Sequence, residues 1–217
     1  SGEYFASAGG WLGIIREGWE SSLPELKARE EAETAKRSGA IARRLLKRPT
    51  ALAIRHARLF DPETGTVRAS TTIVVSGTRI TAVGPDADTP VPEGAEVFDA
   101  EGQTVLPGLW DMHAHVSDLD GLLNIAAGVT SVRDLANDID TVAALRRQWD
   151  AGEAIGPRVL LAGFIDGPGP YAGPTKVLVA TEADARAWVN RYADLGYVQI
   201  KVYSSLKPEL VPAIVAE

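Results

Sequence analysis

The sequence predicts an α/β fold, with four strand–helix units in series after a small β-rich module and an amino-terminal helical extension. Three observations predict it. From Thr104 onward, short apolar runs alternate with amphipathic stretches of helical period. Residues 51–103 hold closely spaced β-like runs punctuated by Gly and Pro. Residues 1–50 are rich in Glu and Arg and carry helical spacing. Hydrophobic residues are 45% and charged residues 24% of the 217, the balance of a chain able to build a core.

In the extension, Trp11, Ile14, Ile15 and Trp19 fall at spacings that predict one apolar helix face. Ser22, with Glu25 three residues on, reads as the capping box of a second helix. Arg43, Arg44, Lys47 and Arg48 gather at its far end, where the helix dipole favours cations, and Pro49 stops it. Gly39 is a candidate break within it. The expected role of the extension is to pack on a neighbouring element, with partner docking as the alternative. Glu25, Glu30, Glu31 and Glu33 disfavour a membrane-surface helix.

The run 51–59 is a strand, followed by the turn Asp61–Gly65. Thr71–Val75 and Arg79–Val83 form a hairpin around Ser76–Thr78, and Ala95–Phe98 is another strand. These predict an antiparallel β-sandwich module over 51–103. After it, strands are expected at 104–113, 129–134, 157–162 and 197–203, and helices near 119–127, 138–151 and 181–195. Thr181 is the expected N-cap of the last of these, and Pro208 is expected to open another helix. Such alternation implies parallel strands covered by helices. A closed barrel needs eight such units and about 250 residues, so 104–217 reads as the first half of a (β/α)8 TIM barrel. Half a barrel exposes an unpaired strand edge. Truncation, completion by a C-terminal segment or second chain, and an open half-sheet are the readings of that halt.

The net charge of −7 argues against nucleic acid or an anionic membrane as partner. Cys is absent, which excludes thiolate catalysis and Cys-based zinc sites. No apolar run approaches the ~20 residues of a membrane span. The Ser1-Gly2 start reads as a tag scar or an internal cut, so the compartment stays open, as does homo-oligomer formation.

The chemistry concentrates at Asp111-Met112-His113-Ala114-His115. His residues at i and i+2 on a strand share a face, and at the C-terminal end of a barrel strand that face is the site mouth. Imidazoles ligate Zn, Mn, Fe or Ni, and two of the three His of the chain are here. The plainer alternative is a polar strand end bonded to backbone. Lys201 is the second signal. Its flanks, Val198, Ile200 and Val202, belong to a buried strand, where a lysine is costly unless paired or modified. Desolvation favours the neutral, nucleophilic amine, which can take up carbon dioxide as a carbamate. An ion pair or a snorkelling side chain is the alternative.

The stretch 51–115 resembles the amidohydrolase superfamily, most closely its imidazolonepropionase-like and prolidase-like branch. The residues that carry the resemblance are Ala53–Asp61, the Gly77–Gly84 hairpin and Leu106–His115, and it continues through Gly128–Asp134 to residue 217. The resemblance implies a metal-bearing barrel with an attached β-sandwich. It implies two divalent ions, zinc first among the candidates, held by His113, His115 and a bridging carbamate on Lys201. It further implies two His and an Asp from later strands, none of which this chain contains. The implied reaction is hydrolysis of a C–N amide bond by a metal-bridged hydroxide, on a dipeptide, an N-acyl amino acid or a cyclic amide. A single-metal enzyme with Lys201 unmodified is one alternative. A non-catalytic fragment or degenerate homologue acting in assembly or partner docking is another.

Several neighbouring residues have assignable roles. Asp111 is expected to orient a ligand or to serve as a buried structural carboxylate. Asp134 lies on the wrong strand to replace the missing Asp. Arg133 is expected in a salt bridge within the barrel, with a substrate carboxylate as the alternative. Tyr203 shares the face of Lys201 and is a candidate contact for substrate or an oxyanion. The loop 163–173 is a candidate substrate loop. His56 is expected to serve structure.

Overall fold

The computed structural model describes residues 5–8 and 13–217, and these divide into two compact units, one of residues 46–108 and one of 1–45 with 109–217. Among the described residues no helix is long and apolar enough to cross a membrane.

In the smaller unit β3 (Ala51–Asp61) is the central strand of a five-stranded sheet. β4 (Thr66–Ser76) pairs antiparallel with it, and β5 (Arg79–Pro85) pairs antiparallel with β4. β6 (Glu96–Asp99) and β7 (Thr104–Val105) both run parallel to β3. The sheet is therefore mixed, not wholly antiparallel as expected. The reason is the connection at 86–95, where Pro90 and Pro92 carry the chain across the sheet, so that β6 enters in the direction of β3. His56 sits at an irregularity of β3 with a left-handed backbone (φ 54°). Its N–H donates to Asp86 Oδ1 (3.1 Å), and its Nδ1 lies 3.0 Å from Asp99 Oδ2.

In the larger unit, β1 (Ala6–Ala8) and β2 (Gly13–Ile15) form an antiparallel pair. This corrects the helix expected through Ile14, Ile15 and Trp19; Trp11 lies outside the described residues. The spacing matched a helix, but Gly9, Gly10, Gly13 and Gly18 make one costly, and Gly18 takes φ 84°. Trp19 instead meets the Phe5 ring edge-on at 5.5 Å. α1 (Leu23–Leu45) follows a 3-10 turn at Glu20–Ser22. It runs unbroken through Gly39 and ends before Pro49. It packs on α2 (Asp118–Ala126), where Ser38 Oγ donates to Asp118 Oδ1 (2.6 Å).

β8 (Leu109–Ala114), β9 (Val129–Asp134), β10 (Arg158–Ile165) and β11 (Gln199–Val202) form a wholly parallel sheet in that order. The single strand expected over 104–113 is two strands in different units. Pro107 has no N–H for a ladder and, with Gly108, interrupts it between β7 and β8. α3 (Ile139–Ala151), α4 (Glu182–Asp194) and the short α5 (Val211–Ala216) cover one face of the sheet. Val142, Leu145 and Trp149 of α3 pack with Val132, Val159 and Leu161 of the strands. Ala185, Tyr192 and Ile214 pack with Ile165. Asp138 caps α3, accepting from Asp140 N and Thr141 N, and Thr181 caps α4, accepting from Asp184 N.

Candidate metal centre

β8 delivers His113 and His115 to its C-terminal end, where both line a cleft of about 370 Å³ with Asp111, Asp120 and Asn124. The two imidazole centres are 5.3 Å apart and their planes meet at 71°. Asp111 Oδ1 accepts from His113 N–H (2.9 Å), so this carboxylate shapes the backbone that carries His113. His115 Nδ1 lies 2.9 Å from Ala136 O. A carbonyl can only accept, so Nδ1 is the nitrogen that carries the proton toward it, and in the neutral ring the lone pair falls on Nε2, the tautomer of a histidine that ligates through Nε2. Asp120, the other carboxylate at the cleft, is engaged by Ser117 N and Oγ in the capping box of α2.

Asp134 ends β9 and is 2% exposed. It accepts from Val116 N (2.8 Å) and Asn137 Nδ2 (3.1 Å). Burial pushes its carboxyl above the usual range against these hydrogen bonds. Nearby, Asp138 takes Lys176 Nζ at 3.0 Å, a bond that holds the Asp138 carboxyl low and ties the loop after β9 to the loop after β10.

Lys201 lies on β11 at the far edge of the same sheet, beside Phe164 of β10 in register. Ile200 packs among the helices, so Lys201 belongs to the face turned away from them. Its Nζ is 5.3 Å from the Phe164 ring centre and 5.0 Å from that of Tyr203, and the two rings meet edge-on at 5.0 Å. Tyr203 thus contacts the Lys201 amine itself. The sheet brings His113 and His115 together but not Lys201, which stands three strand steps away, on the order of 14 Å along the sheet. Among the described residues no group of three or more His, Cys, Asp or Glu converges to hold a metal.

Arg133 was expected in a salt bridge; its guanidinium donates instead to Met112 O (2.8 Å) and Gln199 Oε1 (3.2 Å), both neutral acceptors. The structure offers it a peptide carbonyl and an amide because the carboxylates at the end of β9 are engaged elsewhere. Four residues escaped the sequence reading. Asp166, fully buried, accepts from Gly167 N, Gly173 N and Ser205 N at 2.7–2.9 Å and so shapes the loop 163–173. A carboxylate closing an apolar strand just before a Gly-Pro-Gly run was its signal. Asn137, the Ala136 carbonyl and Phe164 left no signal, because strand register and loop path bring them to the site. Gly173 passes over the aromatic pair so closely that a Cβ would stand 2.6 Å from the Phe164 ring.

No family model matches the chain. An adenine deaminase of Mesorhizobium japonicum is 29% identical over 158 residues, 66% of this chain and 26% of that protein. A dihydroorotase of Solibacter usitatus is 42% identical over 67 residues, 31% of this chain and 15% of that protein. Among solved structures, a Bifidobacterium longum protein provisionally described as a prolidase superposes with TM-score 0.69 at 28% identity, covering 78% of this chain and 47% of that one. Bottromycin amidohydrolase superposes with TM-score 0.64 at 27% identity, covering 82% and 38%. The chain spans about a quarter or less of the length of these curated relatives and half or less of these structures. Sequence relatives and structural neighbours agree on the same group of enzymes and support the amidohydrolase superfamily for this chain, over part of its members' length.

Proposed function

We propose that this chain is part of a metal-dependent hydrolase of C–N bonds and contributes His113 and His115 to its metal centre. One observation carries the reading: two imidazoles share one cleft at the end of a parallel strand, and one is held by a backbone carbonyl in the tautomer that ligates through Nε2. That donor set fits a divalent transition ion such as zinc, which takes imidazole nitrogen readily and needs further ligands to complete its shell. When bound, such an ion polarises the scissile carbonyl and makes water a nucleophile at neutral pH. The protein's part is positional. Asp111 holds the backbone of His113, and the loop after β9 holds the ring of His115.

Lys201, on the face of the sheet turned from the helices, is the candidate carbamate that would bind a second ion. Further strands would close the barrel against β8 and β11 and bring the remaining ligands, supplied by another segment of the polypeptide or by a second chain. The half-lengths of the structural neighbours that this chain covers support that reading. The relatives' names point to adenine, dihydroorotate and dipeptides as substrate types, which makes a cyclic amide, a dipeptide or an N-acyl amino acid the candidate class here. Tyr203 would contact substrate only if Lys201 leaves its ring.

The test is to purify the chain with the segment that completes the barrel, measure bound metal, and assay a panel of adenine, dihydroorotate, Xaa-Pro dipeptides and N-acyl amino acids. Turnover that disappears with His113→Ala or His115→Ala, together with loss of metal, is expected. A metal-free complex without turnover overturns the reading and leaves a role in assembly.

A further inference from the structure

The loop after β9 is stitched to the residues around His115 on both sides. Leu135 N–H donates to Ala114 O (3.0 Å), and Val116 N–H donates to Asp134 Oδ2 (2.8 Å). Asn137 Nδ2 donates to Val116 O (2.9 Å) and to Asp134 Oδ2 (3.1 Å). Asn137 Oδ1 accepts from Asp138 N–H (3.1 Å), the residue that caps α3. His115 thus lies between two pinned residues, Ala114 and Val116. Its acceptor Ala136 lies between the two residues, Leu135 and Asn137, that pin them.

We propose that Asn137 is a positioning residue for His115. Its amide sets the path of the loop so that Ala136 O meets His115 Nδ1, which fixes the tautomer and turns Nε2 to the cleft. The inference rests on reading His115 as a metal ligand, and it adds the device that aims it. Asn suits the position chemically. One NH₂ group serves two acceptors, while the carbonyl end takes a backbone N–H. An Asp at 137 has the same size but would set an acceptor against the Val116 carbonyl and the Asp134 carboxylate.

Asn137→Ala and Asn137→Asp are to be compared with the unaltered full chain by long-range ¹H–¹⁵N NMR of the imidazoles, above the ordinary histidine range of about 6.5. The chain has three His, so the spectrum is small enough to assign. Zinc affinity is measured alongside by competition with a chromophoric chelator. Unaltered His115 is expected as a single Nδ1–H tautomer and becomes a mixture in both variants, while His56 and His113 keep their signals. Zinc affinity falls about 10-fold or more, the usual cost of losing a group that orients a ligand. An unchanged His115 signal overturns the proposal, as does an equal change at all three His, which would mean general loosening. Two imidazoles do not complete a zinc shell, so if the unaltered chain alone binds no zinc, the His115 tautomer by itself decides whether Asn137 positions it, and the metal reading is decided on the completed complex.

Discussion

The amine of Lys201 rests on the faces of Phe164 and Tyr203, an environment that suits an ammonium and repels an anion. A carbamate at the same atom would have to swing off those rings toward the open face of the sheet. The two states differ in what they bind. In the completed barrel, Lys201→Ala is expected to lower bound metal from about two ions to about one, read by elemental analysis, with loss of a carbon dioxide adduct from the native mass spectrum. About one ion in both proteins would mean that Lys201 stays an ammonium between its rings and that the site is mononuclear, and about two ions in both would mean that the second is held without Lys201. The strand that carries the lysine was legible from the apolar residues around it, but the burial expected there was not met, because Val198, just before this edge strand, is 63% exposed and Val202, at its end, 40%. The aromatic partner of Lys201, Phe164, was not legible, because only the register of β10 against β11 brings it alongside. Asp134 was legible as a polar strand end, but its clasp on Val116 depends on the course of the loop that follows.

At the scale of elements, one side chain adds a hydrogen bond to the apolar packing of α4 on β10. Tyr192, 2% exposed, donates its hydroxyl to Phe164 O (3.1 Å). Its ring lies so close to Gly163 that a Cβ there would stand 2.4 Å away, which is why the strand has glycine at that point. Burial pushes the Tyr192 hydroxyl up to about 12. Its folded-state value is therefore above the ordinary value of about 10. The sign follows: the stabilisation is full below pH about 10 and is lost as pH rises through about 12. Denaturant unfolding followed from pH 9 to 12 should show that decline. Tyr192→Phe should flatten part of it and cost about 1 kcal/mol at neutral pH, because the Phe164 carbonyl loses the shorter of its two side-chain donors and keeps only Thr175 Oγ1 at 3.4 Å. A decline of the same slope in Tyr192→Phe would assign it to other groups, of which Tyr197, also raised by burial, is the first. Elements with clear period and caps, such as α3 and α4, were readable to within a residue of their ends. The region around Ile14 and Ile15 was not, because helical spacing there competes with glycine. The split between β7 and β8 was hidden by continuous hydrophobicity through Pro107.

Across the whole larger unit, the helices cover one face of a parallel sheet whose two edge strands, β8 and β11, have one partner each among the described residues. Such sheets occur with both faces and edges covered, and an open parallel edge invites pairing. Large apolar side chains stand exposed on these strands, with Trp110 49%, Met112 50% and Val202 40% accessible. In a parallel ladder, alternate N–H groups point to opposite neighbours. The outward amides of β8 and β11 therefore have no strand to bond, while β9 and β10 are paired on both sides. If further strands close the barrel, hydrogen exchange should divide along that line. When the chain is produced with the completing segment, the outward amides of β8 and β11 should gain protection of at least tenfold, about 1.4 kcal/mol in the opening equilibrium, while β9 and β10 change less. Equal protection of all four strands with and without that segment would mean that the sheet is stable as an open half, and that the metal site must be completed from a direction other than its edges.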